Sequence, residues 1–241
     1  MNQIFAAIIA LIALLVRGLT GFGSSLVMMP LLMLFLDTKT AVVAAALTQV
    51  PVGLWIALRS RRAIDFPNLK LLLAPSILGI MVGSFILVKL DSDLLRRTFG
   101  IITVVFAIRI MLTSSQESTH HTKLPESAGY LAGAAGGILG GIFGISGPPV
   151  IVFLERQVNR KDVLRATLLG YFLAIDSLRL SSYALARLVN RQALVMSLVM
   201  IPTALIGAYW GTRLNMRTSE HAFRFIVGAL LFATGILLAA R

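Results

Sequence analysis

Residues 141–149 read GIFGISGPP, preceded by AGYLAGAAGGILG (128–140) and followed by VIVFL (150–154). Glycine lowers helix propensity by about 1 kcal/mol, and proline removes an amide donor and clashes with the preceding turn. A helix that both flanks would otherwise carry through must therefore stop here. The surroundings give the stop its meaning. The chain has 241 residues, 57% hydrophobic and 13% charged, with a mean hydropathy of +0.88; a soluble domain averages about 25% charged residues.

Apolar tracts occupy 4–16, 41–58, 69–88, 98–112, 128–143, 166–186, 193–211 and 222–240. Several approach the ~20 residues that cross a hydrocarbon core of ~30 Å. They lack the alternation of barrel strands, so the expected fold is an all-α polytopic membrane protein. The longest polar stretch, 113–127, is too short to form a soluble domain. The opening segment, 1–18, has no basic residue ahead of its apolar run and no A-x-A pattern, and reads as mature protein. With no cysteine there is no disulfide framework or thiol chemistry. The net charge of +12 is carried between apolar tracts. It reads as positive-inside topology facing anionic lipid, not as a nucleic-acid surface.

The break has a partner. GFGSSLVMMPLL (21–32) follows the first tract much as GISGPPVIVFL (144–154) follows the fifth, and matching Gly21 to Gly144 sets an offset of 123 residues. Three long apolar tracts follow each. The expected organisation is a first membrane repeat at 1–115, a connection at 116–127 and a second repeat at 128–241.

If each interrupted segment dips in and returns, the two repeats are inverted. The Lys and Arg outside the spans then divide 12 to 7, the seven being Lys39, Lys89, Arg96, Arg97, Arg187, Arg191 and Arg241; single crossings give 11 to 8. The first split favours two inverted repeats, each a broken helical hairpin plus three transmembrane helices, with the loops after Leu58 and Leu154 cytoplasmic.

Broken helices in inverted repeats are the plan of secondary transporters, with substrate held where the breaks meet. Freed N–H groups at Ser24, Ser25, Ser146 and Gly147, ahead of helices expected near Leu26 and Pro149, would turn positive helix ends toward one cavity and favour a small anion. The candidate substrate-binding residues are Gly21, Phe22, Gly23, Ser24 and Ser25 of the first break, with Gly144, Ile145, Ser146, Gly147 and Pro148 of the second. AGAAGG (132–137) reads instead as a helix-packing face.

Two stretches, GLTGFGSSLVMMPLL (18–32) and GGIFGISGPPVIVFLE (140–155), resemble the signatures of the sulfite exporter TauE/SafE family, a likeness that spans nearly the whole chain. Ser24 and Ser25 stand where members more often carry glycines. The resemblance implies a permease for small, often sulfur-containing anions such as sulfite, sulfonates or sulfoacetate, in the inner membrane and without a cofactor.

Ionisable residues at membrane depth are functional candidates. Asp176 and Arg179 share a helix face at i, i+3. They form either a mutually neutralising pair that packs the bundle or a site in which Arg179 attracts the anion while Asp176 orients it or carries a coupling proton. Arg17 ends the first tract beside the break, within reach of a cavity or of the surface. Arg109 snorkels. The offset sets Thr48 and Gln49 opposite Tyr171 and Phe172, and Gln49 and Tyr171 are the expected lining.

An intramembrane serine protease is the rival from another class, since G-x-S-G at 144–147 resembles a rhomboid-type nucleophile motif. Its serine would need a buried base, whereas His120, His121 and His221 all lie in polar connections. An anion channel uses the same helix-end chemistry. No cysteine or histidine falls within an apolar tract, so no metal site is expected. The sequence carries no signal of oligomeric state.

Overall fold

The computed structural model describes residues 2–60, 63–112, 123–214 and 220–240. The expected connection at 116–127 is described from Lys123 onward; its first part lies outside the described residues, as do His120, His121 and the side chain of His221. Ten helices and no strand are present among the described residues. The first half holds α1 (Asn2–Thr20), α2 (Ser24–Leu32), α3 (Thr38–Ser60), α4 (Phe66–Lys89) and α5 (Ser92–Leu112). The second holds α6 (Glu126–Phe143), α7 (Gly147–Gln157), α8 (Lys161–Leu185), α9 (Arg191–Leu214) and α10 (Glu220–Ala240).

Both halves are thus an interrupted helix followed by three long ones, in a common register. The ends of α1 and α6, the starts of α2 and α7, and the starts of α3 and α8 are each 123 residues apart. The interruptions turn on glycine in the left-handed region, Gly21 at φ 87° and Gly144 at φ 74°, where another residue would cost about 1–2 kcal/mol. The second helices begin two residues earlier than expected, at Ser24 and Gly147. Pro148 and Pro149 fit inside the first turn of α7, where no amide donor is required.

Helix α1 packs on α9, α6 on α4, α5 on α10 and α3 on α8, with α3 also meeting α9 and α4 meeting α8. Exchanging the halves maps this set of pairings onto itself. The seams are built on small residues, as expected where lipid is as apolar as the helices and close packing must supply the association. A Cβ on Gly18 would stand 2.7 Å from the Gly211 Cα, and one on Gly207 would stand 2.2 Å from the Leu11 carbonyl oxygen. AGAAGG is such a seam, with Gly133 against Leu72 and Gly137 against Ser76 of α4.

The contacts also fix direction. Leu11 meets Gly207 and Leu15 meets Gly211, so α1 runs alongside α9 in the same sense; Gly133–Leu72 and Gly141–Ile80 set α6 parallel to α4. Gly100 meets Gly235 while Gly228 meets Met111, so α5 and α10 are antiparallel. At the start of α3, Lys39 Nζ donates to the Val88 carbonyl (3.1 Å) and Asn190 Nδ2 donates to Thr40 Oγ1 (2.9 Å). The α4–α5 and α8–α9 connections therefore meet at one end of the bundle. At the other end the Asp65 amide donates to Thr167 Oγ1 at 2.9 Å, joining the start of α4 to the start of α8.

Large apolar side chains face outward along the long helices, among them Leu78, Leu131 and Leu198, each about 70% exposed. Among the described residues, four segments are long and apolar enough by length and composition to cross a membrane: α1, 38–58 of α3, α4 and 191–213 of α9. The polar exceptions are inside. Among the described residues the only buried charged side chains are Arg17, Asp176 and Arg179.

Candidate functional site

The end of α1, the starts of α2 and α7, and the middles of α3 and α8 enclose a cavity of about 20 Å³, room for one or two water-sized groups. It is lined by Arg17, the stretch Phe22 to Leu26, Gln49, Ile145, Ser146, Gly147 and Phe172. The repeat register organises it: Phe22 and Ile145, Gly23 and Ser146, Ser24 and Gly147, and Gln49 and Phe172 are all lining pairs 123 residues apart.

The cavity is rich in donors. The first helical bond of α2 runs from the Val27 amide to the Gly23 carbonyl (3.2 Å), so the amides of Ser24, Ser25 and Leu26 find no acceptor within the helix. In α7 only Ser146 and Gly147 offer such amides, because Pro148 and Pro149 have none. Gln49 Oε1 accepts from Ser25 Oγ (3.0 Å), Ser24 Oγ (3.4 Å) and Arg17 Nη1 (3.4 Å). That saturates the one side-chain carbonyl at the site and fixes the amide so that Gln49 Nε2 remains without a partner.

Arg17 is 1% exposed, and its Nε and Nη2 make no hydrogen bond. The guanidinium lies over the Phe172 ring, 5.6 Å from its centroid, a cation–π contact that holds the plane in place. Behind it Asp176 bridges two arginines, with Oδ2 3.4 Å from Arg17 Nη1 and Oδ1 3.2 Å from Arg179 Nη2. The Arg179 contact is an ion pair without hydrogen-bond alignment, since its three guanidinium nitrogens remain unpaired. Two guanidiniums and one carboxylate leave the cluster with one uncompensated positive charge. Unpaired buried charge costs several kcal/mol, so a negative group in the cavity would be strongly favoured.

The structure therefore brings Arg17, Phe22, Gly23, Ser24, Ser25, Gln49, Ile145, Ser146 and Gly147 to one wall. Asp176 and Arg179 stand behind that wall, and Arg179 Nη1 packs so closely on Gly144 that a Cβ there would lie 2.6 Å away. Gly21 packs against the Arg165 side chain, whose Nη2 donates to the Gly18 carbonyl. Pro148 is not part of the lining. Tyr171 turns away from the cavity, its hydroxyl 2.9 Å from Ser76 Oγ and packed beside Gly136. One residue is a rotation of about 100° on a helix, so its neighbour Phe172 takes the cavity instead. Thr48 donates to the Ala44 carbonyl at 2.8 Å within its own helix.

Phe172 carried a sequence signal, being the strict 123-residue counterpart of Gln49; Leu26 and the Arg165–Gly18 contact carried none. Ser146 Oγ bonds no base among the described residues. Among the described residues no three His, Cys, Asp or Glu gather as metal ligands.

Residues 6–238 match the family described as Sulfite exporter TauE/SafE. The chain belongs to the sulfite exporter TauE/SafE family. A curated relative, described as a probable sulfite/organosulfonate exporter TauE from Cupriavidus necator, is 26% identical over 106 residues, covering 44% of this chain and 41% of that protein. No solved structure matches. As a TauE/SafE chain with several long apolar helices, it is a multi-pass membrane protein. Both of its glycine-rich stretches, 18–32 and 140–155, border the cavity.

Proposed function

We propose that this protein is a secondary transporter that exports small anions of the sulfite and organosulfonate class across the inner membrane. The substrate site is centred on the cavity under Arg17, which widens to admit the anion as the halves rock, and transport proceeds by alternating access. The observation that carries this reading is the buried Arg17 guanidinium, its Nε and Nη2 unpaired at a cavity where the amide-rich starts of α2 and α7 converge. Oxyanions suit that chemistry: they accept several hydrogen bonds at once, and charge-assisted bonds of this kind are about twice as strong as neutral ones. Family membership and the curated exporter support the sulfur chemistry of the substrate.

The halves act as inverted repeats. Support comes from the exchange of helix pairings, and from α5 and α10, which are counterparts that pack antiparallel, as an axis in the membrane plane requires. Rocking one half against the other would expose the cavity to each side in turn. The reaction is translocation without covalent change.

Proteoliposomes loaded with sulfite test the reading. Accumulation of external sulfite or methanesulfonate against its gradient during counterflow marks a carrier, and equilibration alone marks a channel. Ser146→Ala separates the protease reading: peptide cleavage would vanish with the hydroxyl, whereas anion counterflow should fall only a few-fold, because the amides of the break remain.

A further inference from the structure

We propose that Asp176 sets the charge of the transported anion at one, so that the site selects monoanions over dianions of the same shape. The proposal rests on the reading of the cavity as an anion site and adds a rule of valence. Asp176 does not line the cavity; it sits behind Arg17 with one oxygen on each guanidinium, 3.4 Å from Arg17 Nη1 and 3.2 Å from Arg179 Nη2. It thereby occupies one edge of Arg17, whose Nε and Nη2 make no hydrogen bond, while Arg17 itself borders the cavity.

Arg17, Asp176 and Arg179 are the only buried charged side chains among the described residues. Arginine remains protonated in proteins, so the cluster carries one net positive charge. The starts of α2 and α7 direct partial positive charge at the cavity but add no net charge, each helix carrying the balancing partial charge at its other end. A monoanion leaves the buried assembly neutral. A dianion leaves it with a surplus negative charge beside the Asp176 carboxylate, at a depth where water cannot screen it. A second carboxylate in place of the Arg179 partnership would have removed anion binding altogether; a single carboxylate shared by two arginines tunes it.

The test is calorimetric titration of the purified full-length chain, in a detergent with a neutral headgroup at neutral pH. The probes are methanesulfonate and sulfate, which differ by a methyl group in place of one charged oxygen. The wild type should bind methanesulfonate about tenfold or more tighter than sulfate. Asp176→Asn, raising the cluster by one charge, should reverse that order, and the double variant Asp176→Asn/Arg179→Gln, with Arg17 alone, should restore it. Restoration by a second loss of charge is not expected of a carboxylate that merely packs the bundle. Sulfate binding the wild type as tightly as methanesulfonate, or an unchanged order in Asp176→Asn, would overturn the valence rule while leaving the anion site intact. If neither anion binds the wild type, the anion site falls and the rule with it. Where a variant does not purify folded, the wild-type order alone decides.

Discussion

At the scale of single residues, the site depends on how few hydrogen-bond acceptors face Arg17. Gln49 supplies one carbonyl oxygen and spends it on two serines and the guanidinium. Gln49→Leu would remove the unpartnered Nε2 donor and the oxygen that holds Arg17 and both serines in place, and the expected result is a loss of about tenfold in anion affinity with little change in melting temperature, measured by titration and by thermal unfolding in detergent. Gly144 is constrained twice, by a φ of 74° and by Arg179 Nη1 at 2.6 Å from any added Cβ. Gly144→Ala should therefore destabilise by about 1–3 kcal/mol, read as a lowered melting temperature, and a melting temperature equal to wild type would contradict the packing described.

The sequence made these charges visible as intramembrane exceptions, and the i, i+3 spacing of Asp176 and Arg179 was enough to pair them. That the same carboxylate also reaches Arg17, 159 residues away, is a tertiary fact with no local signature. Tyr171 and Phe172 show the same limit more finely, because the offset identified the right turn of α8 and only the helix's rotation chose between adjacent side chains.

At the scale of elements, the breaks were legible because glycine and proline act locally, and the positions of both interruptions and of the long helices could be read from tract and punctuation alone. Their exact starts were less so: Ser24 and Gly147 are helical because a first turn needs no amide acceptor, which lets serine and a double proline enter it. Partner choice among helices was legible only where a run of small residues marked a seam. AGAAGG marked α6, whereas Gly18 and Gly211 reveal the α1–α9 seam only when brought together. The two seams should behave alike. Gly137→Leu and Gly211→Leu each force backbones apart, since an added Cβ alone would stand 2.4 Å and 2.3 Å from a carbonyl oxygen. Each should cost about 2 kcal/mol or more, measured as loss of folded protein in detergent.

At the scale of the whole molecule, the account holds that the halves are inverted and that their breaks share one anion. The chain contains no cysteine, so single cysteines report topology in an otherwise natural background. Asp91→Cys and Arg191→Cys should be labelled by a membrane-impermeant maleimide from the same side of the membrane, because the α4–α5 and α8–α9 connections meet at the start of α3. If each broken segment crossed once, the two would label from opposite sides.

The most direct measurement is equilibrium binding of methanesulfonate to the purified full-length protein, wild type against Arg17→Gln. The account predicts saturable binding in the wild type and affinity about a hundredfold weaker in Arg17→Gln, with both proteins folded by thermal unfolding. Equal affinity in the two proteins would contradict it.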